Sequence, residues 1–252
     1  MTDETPDDTD LAEPGGKVRL FIEDGLAAGD AVTLTEGQAH YLRHVMRAKS
    51  GEAVRLFNGR DGEWRAALAL AGKRGAAAVP ERQTRDQTVA SDLWLCFAPV
   101  KKAPAEFIAQ KATELGVSAL RPIITRRTIV SRVNVERMRA NAIEAAEQSD
   151  RLDVPDCHDP ASLPWLLTAW PSHRALLFCD EAGAPPILDA LKAAPMGPWG
   201  ILIGPEGGFD AEERAAIRAL PQCVPATLGS RILRADTAGL AALAIWQAAL
   251  GS

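Results

Sequence analysis

The sequence lacks the features that would direct the chain to a membrane or an oxidising compartment. Only four cysteines occur in 252 residues, and none belongs to a CxxC pair or lies at metal-ligand spacing from a histidine. We therefore expect reduced thiols and no zinc site. The longest apolar runs, at 93–100 and 240–250, are too short or too interrupted to cross a bilayer. Because no basic leader precedes an apolar stretch, we predict a cytoplasmic protein.

Several enzyme signatures are also missing. The sequence contains no GxSxG nucleophile elbow, no GxGxxG dinucleotide turn and no GxxxxGK[ST] phosphate loop. Serine hydrolase chemistry, hydride transfer and nucleotide hydrolysis therefore lose support. His40 and His44 are four residues apart, but the Glu of HExxH and a third ligand are absent, so no metal site is predicted.

The net charge of −5 misrepresents the part of the chain expected to fold. Residues 1–16 hold six carboxylates and no basic residue, and this tail is predicted to be disordered. Residues 17–85 carry 12 Lys and Arg against 8 Asp and Glu, so the first folded segment is basic. A second basic cluster is formed by Arg121, Arg126, Arg127, Arg132, Arg137 and Arg139. It fits contact with nucleic-acid phosphates, although an ordinary solvated surface also explains it.

Residues 18–80 have the pattern of a small β-barrel module. Short strands are predicted at 18–22, 31–34, 54–57 and 64–70, and Asn58-Gly59-Arg60-Asp61-Gly62 favours a hairpin between the last two. One helix is predicted to begin at Thr35, with Gln38 at capping-box spacing, and to run through Arg47. The polar stretch 81–91 is interpreted as a linker. We therefore predict domains at 17–85 and 86–252, after the tail at 1–16.

The second domain alternates apolar strands with amphipathic helices, which is typical of an α/β fold with a covered, mainly parallel sheet. The predicted strands are 93–98, 119–124, 175–179 and 199–203. The predicted helices are 104–115, 135–148, 210–220 and one that follows Asp236.

Two segments of this domain have the composition of a ligand site. The strand ending at Ile203 runs into Gly204-Pro205-Glu206-Gly207-Gly208, whose glycines leave backbone N–H groups uncovered. The second segment, Leu228–Ala238, carries Arg231 and Arg234 before an Ala-rich helix. Simpler explanations remain open, because the turn could be structural, Asp236 could be an N-cap and the arginines could be solvated.

The segments IGPEGGF and LGSRILRADTA resemble the signature of the RsmE-type ribosomal RNA uridine-N3 methyltransferases of the SPOUT superfamily. Further similarity lies in KATELGV at 111–117, EAAEQSDR at 144–151 and HYLRHVMRAKSGE at 40–52. The resemblance covers nearly all of the chain after residue 17. One departure is Ala235-Asp236-Thr237-Ala238, where the family usually has Thr-Glu-Thr-Ala.

The resemblance implies a PUA-like RNA-binding barrel followed by a methyltransferase domain with a deep trefoil knot. It also implies S-adenosylmethionine (SAM) as cofactor, a homodimer, and 16S ribosomal RNA or the 30S particle as substrate. The cofactor-binding residues carried over are Ile203, Gly204, Pro205, Glu206, Gly207, Gly208, Leu228, Gly229, Ile232, Leu233, Thr237 and Ala238. The catalytic candidates are Arg231, Arg234, Glu206 and Asp236, and the RNA-binding candidates are His40, Arg43, Arg47, Lys49, Arg126, Arg127, Arg132, Gln148 and Arg151.

Two other functions remain compatible with these residues. A non-catalytic RNA-binding protein would keep the basic barrel and leave the glycine-rich loop without a cofactor. A SPOUT methyltransferase acting on a different RNA base would keep both.

Overall fold

A computed structural model describes residues 18–72, 74–100, 105–130, 132–180, 183–194 and 196–251. The acidic tail and the predicted helix start at Pro104 lie outside these residues. The chain divides into two compact units. The first extends to Val89 and includes Ala146–Asp153, and the second consists of Ala90–Ala145 and the chain from Val154 onward.

The first unit is built on a five-stranded sheet with the order β1-β3-β4-β5-β2. Its strands are β1 (Arg19–Phe21), β2 (Val32–Thr33), β3 (Ala53–Phe57), β4 (Glu63–Ala71) and β5 (Gly75–Arg85). Strands β1 and β3 are parallel, and the other pairs are antiparallel. Its core contains Leu20, Leu42, Val54 and Leu56, each 2% exposed or less. All four strands predicted for this unit are confirmed, with boundaries shifted by one or two residues.

The predicted linker at 81–91 is wrong at its start, because β5 continues to Arg85. Residues 81–85 are exposed and polar, and they pair with β4 around two register shifts near Glu63 and Arg65. Their side chains face solvent, so no apolar alternation revealed the strand. Backbone pairing with β4 holds it in place instead.

The helix predicted from Thr35 to Arg47 is shorter than expected. Helix α1 (Glu36–His40) has the predicted capping box between Thr35 and Gln38 and continues as a π-helical turn over Tyr41–Val45. Arg47 then adopts a φ of 55°, which a helix cannot contain. Single π turns often occur at functional sites.

The predicted hairpin between β3 and β4 is confirmed, and it is held by side chains of the turn. The amide oxygen of Asn58 accepts hydrogen bonds from the backbone N–H groups of Arg60 (3.0 Å) and Asp61 (2.8 Å). The Asp61 carboxylate accepts from the Asn58 amide (2.7 Å) and from the backbone N–H of Leu26 (2.9 Å). These bonds, with that of Asn58 the largest cause, hold the pKa of Asp61 below its usual value.

Acid is therefore expected to weaken the first unit through Asp61. A carboxyl with a lowered folded-state pKa stabilises the fold above its unfolded-state pKa of about 3.9, and this contribution is lost as the pH falls through the folded-state value. Urea denaturation of the wild type and Asp61→Asn at about pH 6 and about pH 3 measures it. The variant should be less stable at the higher pH and lose less stability on acidification. Equal losses would contradict this role.

A buried ion pair lies beside the sheet of the first unit. Arg19 and Glu63 are 5% and 1% exposed, and Arg19 Nε lies 2.7 Å from Glu63 Oε2. The same guanidinium donates to the carbonyls of Ala146 (2.9 Å), Glu147 (3.2 Å) and Arg151 (2.6 Å). Arg19 thus satisfies the carbonyls at and beyond the end of the helix Val135–Gln148, which have no partners within that helix.

The second unit contains a seven-stranded parallel sheet, which confirms the predicted α/β class. Its main path has the order β12-β10-β11-β6-β7-β8, with β9 also paired to β7. The strands are β6 (Leu93–Phe97), β7 (Ala119–Ile124), β8 (Asp156–Cys157), β9 (Ala161–Ser162), β10 (Ala175–Cys179), β11 (Trp199–Ile203) and β12 (Cys223–Ala226). Every pairing is parallel.

Helices cover this sheet, and two apolar clusters form its cores. The helices are α2 (Ala105–Glu114), α3 (Val135–Gln148), α4 (Leu163–Thr168), α5 (Ile187–Ala193), α6 (Ala211–Ala219) and α7 (Ala235–Leu250). One core contains Phe97, Ile201 and Trp246, and the other contains Cys96, Phe178 and Phe209. Burial raises the pKa of the Cys96 thiol to about 12, as expected for a thiol with a packing role.

The start of α7 differs from the interpretation of Asp236 as its N-cap. The N-cap residue is Arg234, whose side chain makes no capping bond, and Asp236 lies in the first turn. The carboxylate of Asp236 accepts instead from the backbone N–H of Thr237 at 2.7 Å. No described helix is long and apolar enough to span a bilayer.

Candidate active site

A cleft of about 450 Å³ lies at the carboxyl ends of β10 and β11 in the second unit. Ligands usually bind at this edge of a parallel sheet, and the volume is within the range of small-molecule sites. The lining residues are Phe178, Cys179, Asp180, Ile203, Gly204, Pro205, Glu206, Gly207, Gly208, Phe209, Arg214, Ile232, Leu233, Arg234, Ala235 and Ala238. Apolar walls and charged side chains therefore face the same space.

The glycine-rich loop after β11 is shaped by close packing and by a left-handed backbone. A Cβ atom at Gly204 would lie 2.7 Å from Cε2 of the buried Phe209 ring, so a side chain there would displace that ring. Gly208 has a φ of +66°, a conformation that side-chain-bearing residues rarely adopt. Asp210 and Glu213 then form a capping box at the start of α6. The loop therefore keeps its backbone close to the cleft.

Two arginines predicted to bind RNA contact the residues around this loop. Arg127 Nη1 donates to the Gly207 carbonyl at 2.7 Å. Arg126 Nη1 lies 2.9 Å from Asp210 and 2.6 Å from Glu212. The pKa of Asp210 is lowered, chiefly by the backbone N–H of Glu213 and further by Arg126. Both arginines thus have partners on the protein, a role that sequence spacing did not indicate.

Removing the Arg127 contact is expected to weaken cofactor binding. In Arg127→Ala the Gly207 carbonyl loses its charged donor, so the loop is held less firmly, and a net loss of about 1 kcal/mol corresponds to a 2- to 10-fold higher Kd for SAM. Calorimetry measures this change. Arg132→Ala is the control, because Arg132 is also exposed and, within the described part of the chain, forms no hydrogen bond or ion pair with the loop. Equal affinities for the two variants would exclude the anchoring role.

A buried carboxylate also lines the cleft. Asp180 is 2% exposed and forms ion pairs with Arg214 and with Arg218, whose Nη2 lies 2.7 Å from Asp180 Oδ2. Arg214 also lines the cleft, and no sequence motif singled it out. The only available signal was its place one turn into α6, which faces this edge of the sheet. The pair contributes fixed charges to a pocket that is otherwise partly apolar.

The catalytic candidates occupy different positions. Glu206 and Arg234 line the cleft, and Asp236 lines a smaller adjoining cavity. Arg231 is exposed and is not among the lining residues. Among the residues that the structure describes, neither Arg231 nor Arg234 forms a side-chain hydrogen bond or ion pair. The charge of Arg234 is therefore available to a bound ligand.

Most of the predicted cofactor-binding residues also line the cleft. Three of them do not, namely Leu228, Gly229 and Thr237. Leu228 instead packs against an apolar core, and the Thr227 hydroxyl donates to the Gly229 carbonyl at 3.1 Å. These contacts place the two residues in the turn that precedes Ile232 and Leu233.

The remaining RNA-binding candidates lie in or near the barrel module. His40 and His44 have ring centroids 4.6 Å apart, and no described cluster of metal-ligating side chains includes them. Arg43 donates to the Gly75 carbonyl at 2.6 Å, and Arg151 pairs with Asp153 at 2.8 Å. The candidates Arg47, Lys49 and Gln148 have no such pairing in the described structure, and Gln148 is exposed.

Comparison with known proteins gives two family matches. Residues 87–247 match the model of an RNA methyltransferase domain, and residues 34–81 match that of an RNA methyltransferase PUA domain. Ribosomal RNA small subunit methyltransferase E of Rickettsia conorii is 31% identical over 229 residues, covering 90% of this chain and 93% of the relative. The Synechocystis protein of the same name is 36% identical and covers 93% of this chain and 78% of its own length. This chain belongs to the ribosomal RNA small subunit methyltransferase E family.

A solved structure of this family has the same fold. The Neisseria gonorrhoeae methyltransferase E, crystallised with S-adenosylmethionine, superposes with a TM-score of 0.84 at 30% identity. The match covers 92% of this chain and 98% of the crystallised one. The predicted family, the PUA-like module and the α/β methyltransferase domain are thereby confirmed.

Proposed function

We propose that the chain transfers a methyl group from SAM to N3 of one uridine in 16S ribosomal RNA of the small subunit. The cleft between the glycine-rich loop and Arg234 carries this proposal, because it combines uncovered loop backbone, apolar walls and an unpaired guanidinium. The residues present fit SAM. Phe178, Ile203 and Ile232 offer apolar surface for a nucleobase, and the loop offers N–H groups for polar atoms.

The chain's own groups have to align the acceptor and stabilise its charge. Bound SAM would supply a methyl carbon on its sulfonium sulfur, and the sulfur would leave as the neutral thioether of S-adenosylhomocysteine when that carbon bonds to the acceptor nitrogen. Uridine N3 becomes a nucleophile when its proton leaves, and the negative charge spreads to the two flanking carbonyl oxygens. Arg234 is suited to donate to one of these oxygens, while Glu206 accepts the proton or orients the base. Arg231 and Asp236 lie in the same segment and remain secondary candidates.

The wider organisation is part of the same proposal. The PUA-like module, with His40, Arg43, Arg47 and Lys49, supplies phosphate contacts, together with the candidates Arg126, Arg127, Arg132, Gln148 and Arg151. The domains extend over 17–85 and 86–252, and the protein acts as a cytoplasmic homodimer on the RNA or the 30S particle. The trefoil knot that the family resemblance implies belongs to the same proposal.

Calorimetry with SAM separates this proposal from a non-catalytic RNA-binding function. The full-length protein should bind SAM, and Gly204→Val should abolish that binding because the added side chain meets Phe209. A wild-type protein that binds small-subunit RNA but not SAM would support the non-catalytic function. Gly37→Ala is the control, because Gly37 lies in the barrel module and a Cβ there would approach nothing closer than 4.0 Å.

A further inference from the structure

A second cleft, of about 510 Å³, lies at a break in the edge of the parallel sheet. Strand β8 pairs with β7 at Ala119 and Leu120, and β9 pairs with β7 at Ile123 and Ile124. Between them Pro122 has no N–H to donate, so the ladder is interrupted there. The cleft is lined by Arg121, Pro122, Ile123, His158, Asp159, Pro160, Ala161, Ser162, Trp165 and Leu166. None of these residues lines the cofactor cleft.

Arg121 brings to this cleft a half-buried guanidinium that has no hydrogen-bonding partner among the described residues. Its Cζ lies 3.8 Å from the centroid of the Trp94 ring, and its Nε is buried and unpartnered among the described residues. Arg174 stacks on the same ring at 3.6 Å, but its Nη2 donates to both Asp92 carboxylate oxygens at 2.7 Å. Burial lowers the pKa of Arg121, which reflects the loss of water around its charge. Arg121 thus offers directed donors that no described residue uses.

The other walls combine an exposed aromatic ring with groups of mixed polarity. Trp165 on α4 is 57% exposed, although a large aromatic side chain is usually covered. Burial, and then the charge of Arg121, lowers the pKa of His158, so its neutral ring can both donate and accept. The Asp159 carboxylate adds an acceptor. One wall is therefore a stacking surface, and the others carry donors and acceptors side by side.

This combination fits a planar heterocycle better than an anion. A phosphate would meet the Asp159 carboxylate, and Arg121 is the one Lys or Arg among the described residues that line this cleft. Bases that leave a single-stranded RNA stack on aromatic rings and are recognised by hydrogen bonds along their edges. Guanine matches both Arg121 and Asp159. Its O6 and N7 atoms accept hydrogen bonds from an arginine side chain, and its N1–H and N2–H groups donate to a carboxylate.

We propose that this cleft binds one unstacked guanine of the RNA substrate, away from the base that is methylated. The inference rests on the proposed function in that it takes RNA as the substrate. Trp165 stacks on the base, Arg121 donates to O6 and N7, and Asp159 accepts from N1–H and N2–H. Binding a flanking base here would hold the RNA in register while its uridine reaches the cofactor cleft.

Binding of small-subunit RNA to Trp165→Ala tests the stacking contact. The Kd for RNA should rise by about 5- to 150-fold, the range for loss of one base–aromatic stack, while the Kd for SAM stays at the wild-type value. Trp165→Phe should recover most of the RNA affinity because it keeps a ring. Met196→Ala is the control, since Met196 is 79% exposed and does not line this cleft. Wild-type RNA affinity in Trp165→Ala would overturn the proposal.

An NMR titration with nucleotides, which does not depend on methyl transfer, tests which base the cleft prefers. The indole N–H resonance of Trp165, assigned with Trp165→Phe, should shift on addition of guanosine monophosphate and shift less with uridine monophosphate. Arg121→Lys should reduce this preference because it removes the guanidinium. An unshifted resonance, or equal shifts with both nucleotides, would overturn the assignment to guanine. A wild-type protein that shows the guanosine shift but methylates no RNA would refute the proposed function and leave this site standing.

Discussion

Replacing Arg234 with Ala is expected to slow methyl transfer by about 100- to 1000-fold, the usual cost of losing one donor to a developing oxyanion. Arg234 lines the cofactor cleft, is exposed and has no hydrogen-bonding or ion-pair partner among the described residues. Its charge is therefore available to the uracil oxygens when N3 loses its proton. Single-turnover rates with saturating RNA and SAM measure the effect, and the Kd for SAM should change little.

Arg231→Ala distinguishes between the two arginine candidates of this loop. Arg231 is an exposed arginine of the same loop, but it does not line the cleft. Its removal should therefore weaken RNA binding at most and leave the single-turnover rate near the wild-type value. If the single-turnover rate fell in Arg231→Ala and stayed near the wild-type value in Arg234→Ala, the roles assigned to the two arginines would be reversed.

Replacing Arg19 with Met is expected to lower the free energy of unfolding of the first unit by about 3–5 kcal/mol. Glu63, 1% exposed, would lose its closest cation, and the carbonyls of Ala146, Glu147 and Arg151 would lose their donor. The nearest other cation to Glu63 is Arg55, at 3.6 Å. Urea denaturation gives the change in free energy.

Arg65→Met is the control for Arg19→Met, because Arg65 and Glu81 form a more exposed ion pair in the same sheet. Its loss should cost no more than about 1 kcal/mol. The double variant Arg19→Met/Glu63→Leu should recover part of the lost stability, since it no longer buries an uncompensated carboxylate. Similar decreases in the free energy of unfolding in Arg19→Met and Arg65→Met would show that burial does not make the Arg19–Glu63 pair more important for stability than an exposed pair.

The main strands of the parallel sheet could be predicted from the sequence, but helix α4 and strand β5 could not. Continuous apolar runs predict Leu93–Phe97 and Trp199–Ile203, because a strand covered on both faces has no polar positions. Helix α4 spans only Leu163–Thr168, too short for a helical period to be distinguished from a strand. Strand β5 was not predicted, because its first residues are glycine and alanine and its last residues are polar, although it pairs with β4 from Gly75 to Arg85.

The candidate site was predicted where its residues are contiguous and missed where they are brought together by the fold. The loop 204–208 and the segment at 232–234 follow strands, so their common location could be inferred from a parallel sheet. The contact of Arg127 with Gly207 joins residues 80 positions apart, and Asp180 and Arg214 are 34 positions apart. Neither separation produces a local pattern. The N-cap at Arg234 was also missed, because Asp236 has the stronger intrinsic capping preference.

Nucleoside mass spectrometry of 16S ribosomal RNA is the most direct test of the proposed activity. Small subunits from a strain lacking this protein would be incubated with the purified protein and SAM and then digested and mapped. The proposal predicts N3-methyluridine at a single position, formed only when both protein and SAM are present. A methyl group on a different base, or no new methyl group while SAM binds, would contradict it.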